Sequence, residues 1–279
     1  MNATVSGTES NKPVRPVRLW GVVLTAVVVV WLGGCGADTY ERRLSETCKY
    51  FEYLDTLNKL LTPSPWTKMG VSIRVPKQFE LLPEPDSKDS SSKAGAGRDP
   101  RQPNFWKITL PGLLGAWKAT VPVDTDQGSR QANAYLYICS NHDLWIQHVH
   151  GSSVDPMSFD TEFASRLAPV VHAPKPETID DWPWTHKQIP PPGSFAVSKW
   201  FDTLNYAVRI KGLPYELQLF RHVNGNIHVM ILYIIPEDVP LKVGLKKAVT
   251  LSLHTLEVSK DLPTESKTPS DRKRLAPNF

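Results

Sequence analysis

Apolar residues recur at three- and four-residue spacing over residues 39–61: Leu44, Cys48, Phe51, Leu54 and Leu61, with Leu57 near the same side. That period predicts an amphipathic helix, capped at its start by Asp38 or Thr39 and stopped by Pro63 and Pro65. The period then changes. Val71, Ile73 and Val75 alternate with polar residues up to Pro76, the pattern of a short half-buried or edge strand. Residues 105–109 and 113–123 read as strands split by a Pro111-Gly112 turn, and 134–139 as a further strand. Residues 144–149 are expected to continue the sheet after the turn Ser140-Asn141-His142-Asp143. Phe159, Phe163, Leu167 and Val170 then mark one stripe of a helix that ends before Pro174.

The C-terminal third carries the clearest signal. Leu204, Tyr206, Val208 and Ile210 alternate with polar residues, Tyr215, Leu217, Leu219 and Phe220 form a second strand, and 227–235 a third. Asn224-Gly225 lies between the last two and predicts a type I′ hairpin turn. Leu217 and Leu219 should then share a sheet face with residues of the third strand. Leu241, Leu245, Ala248, Val249, Ser252 and Leu256 give the apolar face of a last helix, entered after Pro240.

A single core explains this order: an α+β fold, a mainly antiparallel sheet covered by helices, over residues 39–259. Residues 83–104 combine Pro, Gly, the Ser90-Ser91-Ser92 run and charges, and are expected to form an exposed loop. A second Pro-rich loop runs over 174–193, where Trp182 and Trp184 are expected to seal the core. Residues 260–279 read as a polar tail. With its opening strand Val71-Ser72-Ile73-Arg74-Val75-Pro76 and its late helix after a meander, the region over about 69–258 resembles the Mog1/PsbP-like α/β/α sandwich. Members of that family include photosystem- and small-GTPase-associated proteins that are not enzymes, so the resemblance implies a binding role.

Composition narrows the function classes. The 41 % hydrophobic content is enough for a core, and the net charge is +4. Residues 1–34 hold Lys12, Arg15 and Arg18 against Glu9, three minus one, so about half of that charge leaves with them. No basic stripe is interleaved with stacking aromatics, and Arg272-Lys273-Arg274 sits beside Asp271 in the tail. Nucleic acid is therefore not an expected partner.

Arg15 and Arg18 precede an uncharged run of fourteen residues, 19–32. As a helix it would span about 21 Å, short of the roughly 30 Å hydrocarbon core, which suits a signal peptide better than a permanent span. Leu32-Gly33-Gly34-Cys35 follows, and this motif resembles the lipobox of bacterial lipoproteins position by position. The resemblance implies removal of residues 1–34, acylation of Cys35, and a tether at 35–38. An uncleaved single-pass anchor over 19–34 is the alternative, and either places the domain outside the cytoplasm.

Dinucleotide and P-loop glycine patterns, His-Glu-x-x-His, the Gly-x-Ser-x-Gly elbow and Cys-x-x-Cys do not occur. No nucleophile is assigned and no cofactor is expected. His142, His148 and His150 form one histidine cluster; on a strand, His148 and His150 would share a face and could ligate Zn²⁺, against the plainer reading of surface histidines. His222 and His228 are expected to face each other across the hairpin. Once Cys35 is acylated, Cys48 and Cys139 remain as candidates for a disulfide or for buried thiols. The sequence thus reads as a membrane-tethered extracytoplasmic binding or accessory protein with membrane lipid as one partner and an envelope protein as another. A hydrolase with a loop-built site and a metal-binding module at the histidine cluster are the alternatives.

Overall fold

The computed structural model describes residues 17–85, 99–125, 128–189, 193 and 195–260, with side chains from residue 38 onward except 125. The side chains of Lys12, Arg15, Arg18 and Cys35 lie outside the described residues, as do 86–98 of the expected loop and most of the expected tail. Two units are distinguished, residues 1–52 and 53–279. The boundary falls at Tyr53, inside the segment expected to open the domain at residue 39.

Helix α1, Val17–Leu60, contains the amphipathic segment read from the sequence. Its stripe behaves differently on the two sides of the boundary. In the first unit Tyr40, Leu44, Phe51 and Cys48 are exposed. In the second, Leu57 and the following Leu61 are buried with Ala248 and Leu251. A three-and-four period records that a helix has an apolar side, and tertiary partners alone decide where along its length that side is covered.

Ten strands follow among the described residues: β1 (Trp66–Lys68), β2 (Val71–Ile73), β3 (Glu80–Leu81), β4 (Leu113–Thr125), β5 (Gly128–Ser140), β6 (Thr185–Ile189), β7 (Lys199–Ile210), β8 (Leu213–Asn224), β9 (Ile227–Pro236) and β10 (Glu257–Val258). Seven form one sheet in the order β3-β4-β5-β9-β8-β7-β6, antiparallel throughout. β1, β2 and β10 form a small second sheet. The remaining helices are α2 (His142–Val149), α3 (Phe159–Leu167) and α4 (Leu245–His254). This is the expected α+β architecture, a mainly antiparallel sheet covered by helices.

β9 is the central strand, and all ten of its residues are buried. A strand covered on both faces favours apolar residues throughout, which is why 229–236 reads as a continuous apolar run, while His228 is buried with its ring nitrogen on Asp160. Val229, Ile231, Tyr233 and Ile235 point to one core, shared with Val71, Ile73, Leu245 and Val249. Met230, Leu232 and Ile234 point to the other, shared with Leu217, Leu219, Phe159, Phe163, Leu167 and Trp182. Leu217 lies opposite Ile234 and Leu219 opposite Leu232, as the alternation requires. Lys199 fastens α4 to β7: its ammonium donates to the carbonyl of His254 at 2.6 Å and to that of Leu256, and burial pulls its pKa down.

The hairpin turn is displaced by one residue from the expectation. Asn224 still pairs with Ile227, so the two-residue turn is Gly225-Asn226, with positive φ (63°) at Gly225. Positive φ at the first central position is the requirement of a type II′ turn, which also matches strand twist. Asn224 is left free to donate from Nδ2 to the Val258 carbonyl at 2.6 Å. The pair with positive φ at both positions is instead Lys211-Gly212 (50° and 82°), between β7 and β8.

Three further expectations are corrected. Residues 144–149 form α2 rather than a strand: Leu144, Trp145 and Ile146 are consecutive apolar residues without alternation, and a helix lets Trp145 reach the Asn226 carbonyl with Nε1 at 2.8 Å. Residues 105–109 form no strand: 104–107 is a turn, with Lys107 at φ 56°, and 108–109 is irregular. Within the expected loop 174–193, Thr185–Ile189 is an edge strand, and its polar composition suits an edge exposed along most of its length. The end of the expected excursion 83–104 also packs: Arg101 and Gln102 are buried, and Gln102 takes both main-chain groups of Leu110 at 2.7 and 3.2 Å.

Candidate functional site

An open cleft of about 680 Å³ lies at the end of the sheet where β7 turns into β8. Phe105, Trp106 and Ile108 form one wall, and Pro169, Val170 and His172 the other. Ala207, Val208, Arg209 and Pro214 complete the lining from the sheet, with Glu237 just after β9.

Each wall is built by an irregular segment held at both ends. The first is pinned by the Gln102–Leu110 exchange and by Trp106 N–H donating to the Pro103 carbonyl at 3.0 Å. Phe105 then lies 4.7 Å from the Tyr135 ring and 4.9 Å from that of Trp106. The second wall is the unwinding end of α3, where Val170 N–H donates to Leu167 and Ala173 N–H to Ala168. Lys107 and His172, one in each wall, are non-glycine residues with positive φ (56° and 54°). Such conformations cost of the order of 1 kcal/mol and persist where surrounding structure imposes them, a condition met disproportionately at binding sites.

A second polar constellation sits at the opposite end of β8. Asp160, on the first turn of α3, is buried; its Oδ2 accepts from Arg221 Nε and His228 Nδ1, each at 2.7 Å. Arg221 Nη1 also donates to Asp202 Oδ2 at 2.8 Å, and Asp202 Oδ1 accepts from His186 Nδ1 at 2.7 Å. The His186 ring stacks on the exposed Trp200 at 4.7 Å and 7°. Arg221 lies seven residues along β8 from Pro214, about 23 Å at 3.3 Å per residue. The carboxylate–imidazole pair and the cleft therefore do not share a site. Among the described residues the pair ties α3 to the sheet, with His228 further bonded through its main chain to the buried Asn141.

The histidines singled out in the sequence separate. With His148 on α2 and His150 just past its end, the two are not strand neighbours on one face; His142 is buried, and burial pulls its pKa down with Nδ1 left unpartnered. His148 Nδ1 engages the Val154 carbonyl at 3.1 Å. Among the described residues no three His, Cys, Asp or Glu side chains are grouped to hold a metal, so the Zn²⁺ assignment to His142, His148 and His150 is withdrawn. His222 and His228 are offset by one residue in the register, His222 opposite Val229 and His228 opposite Val223, and so lie on opposite faces. Cys48 and Cys139 are both free thiols, Cys48 exposed and Cys139 buried, with burial raising the Cys139 pKa well above its usual range. The stripe that should have buried Cys48 is uncovered at that point. Trp182 is buried as expected, and Trp184 packs 5.9 Å from it with its indole N–H on the Ile179 carbonyl at 2.8 Å.

The cleft residues Phe105, Trp106, His172, Arg209 and Glu237 carry no motif and were not legible as a set, because they come from four segments far apart in the chain. Trp106 alone, an indole in a segment rich in Pro and polar residues, offered a signal.

Among the residues whose side chains are described, no helix is long and apolar enough to cross a membrane. No family model matches the chain, and no curated protein does. A crystal structure from Bacteroides thetaiotaomicron is similar at 11 % identity with a TM-score of 0.33, covering 71 % of this chain; the chain spans about half of that structure's length, 49 %.

Proposed function

We propose that the chain is a membrane-tethered, extracytoplasmic binding or accessory protein, anchored through acylated Cys35 and taking its partner in the cleft walled by Phe105, Trp106 and Val170. The observation that carries this reading is the character of the cleft. It is open, its walls mix apolar and aromatic side chains with polar ones, and its ionisable groups, Arg209, His172 and Glu237, are not joined to the Asp160–His228 pair. A hydrolase site would need a base and an acceptor converging on a reacting atom within hydrogen-bond reach. An accessory role also agrees with the resemblance to the Mog1/PsbP-like sandwich, and the lipobox supports the tether.

The test places a photo-crosslinking residue at position 172 in the cleft wall or at Lys242, on the surface turn before α4, in a bacterial host. Adducts with an envelope component should form from position 172, fail from 242, and disappear in the Trp106→Ala background. Equal labelling from both positions, or substrate turnover that depends on Asp160 and His228, would sink the reading. The tether is tested in parallel by Cys35→Ala, which should abolish acyl mass and precursor cleavage. Retention of residues 1–34 without acyl mass would favour the single-pass anchor instead.

A further inference from the structure

We propose that the uncovered edge of β7 beside the cleft accepts an extended peptide segment of a partner protein as an added strand, with apolar and acidic side chains alternating. The proposal rests on the cleft being the binding site and specifies what occupies it. β6 pairs with β7 only from Ile189↔Lys199 to Thr185↔Thr203, five of the twelve residues of β7. Upstream of Thr185 the chain cannot continue the ladder. Pro183 has no N–H to give, Trp184 N–H is turned back onto the Trp182 carbonyl at 2.7 Å, and residues 179–181 coil away. Among the described residues β7 is therefore unpaired on that side from Leu204 to Ile210.

The phase of that edge follows from the β7–β8 turn. In a two-residue hairpin the residues flanking the turn, Ile210 and Leu213, exchange main-chain hydrogen bonds. Every second residue back from Ile210 then faces β8, and Asn205, Ala207 and Arg209 aim their N–H and C=O groups at the free edge. All three are exposed, and Ala207 and Arg209 line the cleft. The segment has neither a proline nor a register shift, two of the usual devices that stop edge pairing.

Side-chain pattern is fixed by the same phase. Residues of an added strand opposite Tyr206 and Val208 fall on the face walled by Phe105, Trp106 and Val170, and should be apolar. Those opposite Ala207 and Arg209 fall on the other face. There Arg209, with Lys211 next to it in the turn, calls for a carboxylate. In the cleft lining itself Arg209 is balanced by Glu237, so the preference for an acidic segment comes from Arg209 together with the neighbouring Lys211.

The test uses the full chain and a fluorescein-labelled peptide, Glu-Val-Asp-Phe-Glu-Val-Asp, followed by anisotropy and by amide hydrogen exchange. Saturable binding is expected, with slowed exchange at Asn205, Ala207 and Arg209. N-methylation of the alternate peptide amides that face β7 should weaken binding roughly thirty- to 150-fold, the effect of losing two or three main-chain hydrogen bonds. Arg209→Glu should reverse the preference toward the same peptide carrying Lys in place of its acids. Binding that tolerates N-methylation and leaves these amides unprotected, yet is lost in Trp106→Ala, overturns strand addition and leaves the cleft reading intact. No binding by any peptide of the series, or protection of the same amides by self-association without peptide, overturns the proposal; the cleft reading is then judged by crosslinking from position 172.

Discussion

Removing the Asp160 carboxylate is expected to destabilise the protein by about 2–4 kcal/mol. Its side chain is 2 % exposed, and the same oxygen serves Arg221 and His228, whose side chains are 17 % and 6 % exposed. In Asp160→Ala the His228 N–H loses its acceptor in a buried position, a penalty of roughly 1–3 kcal/mol. Arg221 loses one of two carboxylates but keeps Asp202 at 2.8 Å, so its guanidinium is not stranded. The loss should then fall at or below the range of about 3–5 kcal/mol typical when one partner of a fully buried pair is deleted. Urea unfolding at pH 7.5, with an unchanged slope against denaturant, measures it. Arg221→Met in both backgrounds completes a double-mutant cycle, and a coupling of about 1–2 kcal/mol is expected for groups sharing one network. A loss below about 0.5 kcal/mol, or a coupling indistinguishable from zero, would refute the view that this network pins α3 to the sheet.

Gly225→Val should cost about 1–3 kcal/mol, read as a fall in the urea midpoint, because φ is 63° there and no neighbour within 4 Å crowds a side chain, so strain alone acts; an unchanged midpoint would contradict the type II′ assignment. His142, His222 and His254 all have pKa values lowered by burial, so the unfolded chain binds more protons than the folded one once pH drops through the ordinary histidine value near 6.5. Stability should accordingly be lost as pH falls from about 6.5 toward their lowered folded values, and a melting temperature that holds or rises over pH 7.5 to 5.5 would count against it. In native protein a thiol reagent should modify Cys48 rapidly and Cys139 only on unfolding, since Cys139 is fully buried with its pKa raised; equal rates would be inconsistent with this burial.

Local pattern carried the elements whose environment is uniform along their length. The apolar run of β9, the alternation of β7 and the stripe on α3 each had one structural solution, and all three elements formed, α3 ending at Leu167 short of the expected Val170. Where a segment's neighbours differ along its length, periodicity was silent. The stripe on α1 is uncovered at Leu44 and Phe51 and buried at Leu57 and Leu61, although the spacing is the same throughout. The polar pentapeptide Thr185–Ile189 became a strand because β7 offered it an edge, and residues 144–149 became a helix because the sheet had no place for another strand beyond Ser140.

By itself the sequence determined the fold class, the alternation that puts Leu217 and Leu219 on one face with Leu232 and Ile234, and the existence of a tight turn after Asn224. These follow from side-chain period and backbone dihedral preference, which act over a few residues. Tertiary structure alone decided that the turn is Gly225-Asn226, that His222 and His228 part to opposite faces, and that Asp160 meets Arg221 and His228 across 61 and 68 residues of chain. It also decided that Phe105, Trp106, Val170 and Arg209 share a cleft. A register shift of one residue changes which face a side chain occupies, and contacts between distant segments depend on that register and on how helices lie on the sheet, neither of which local spacing encodes.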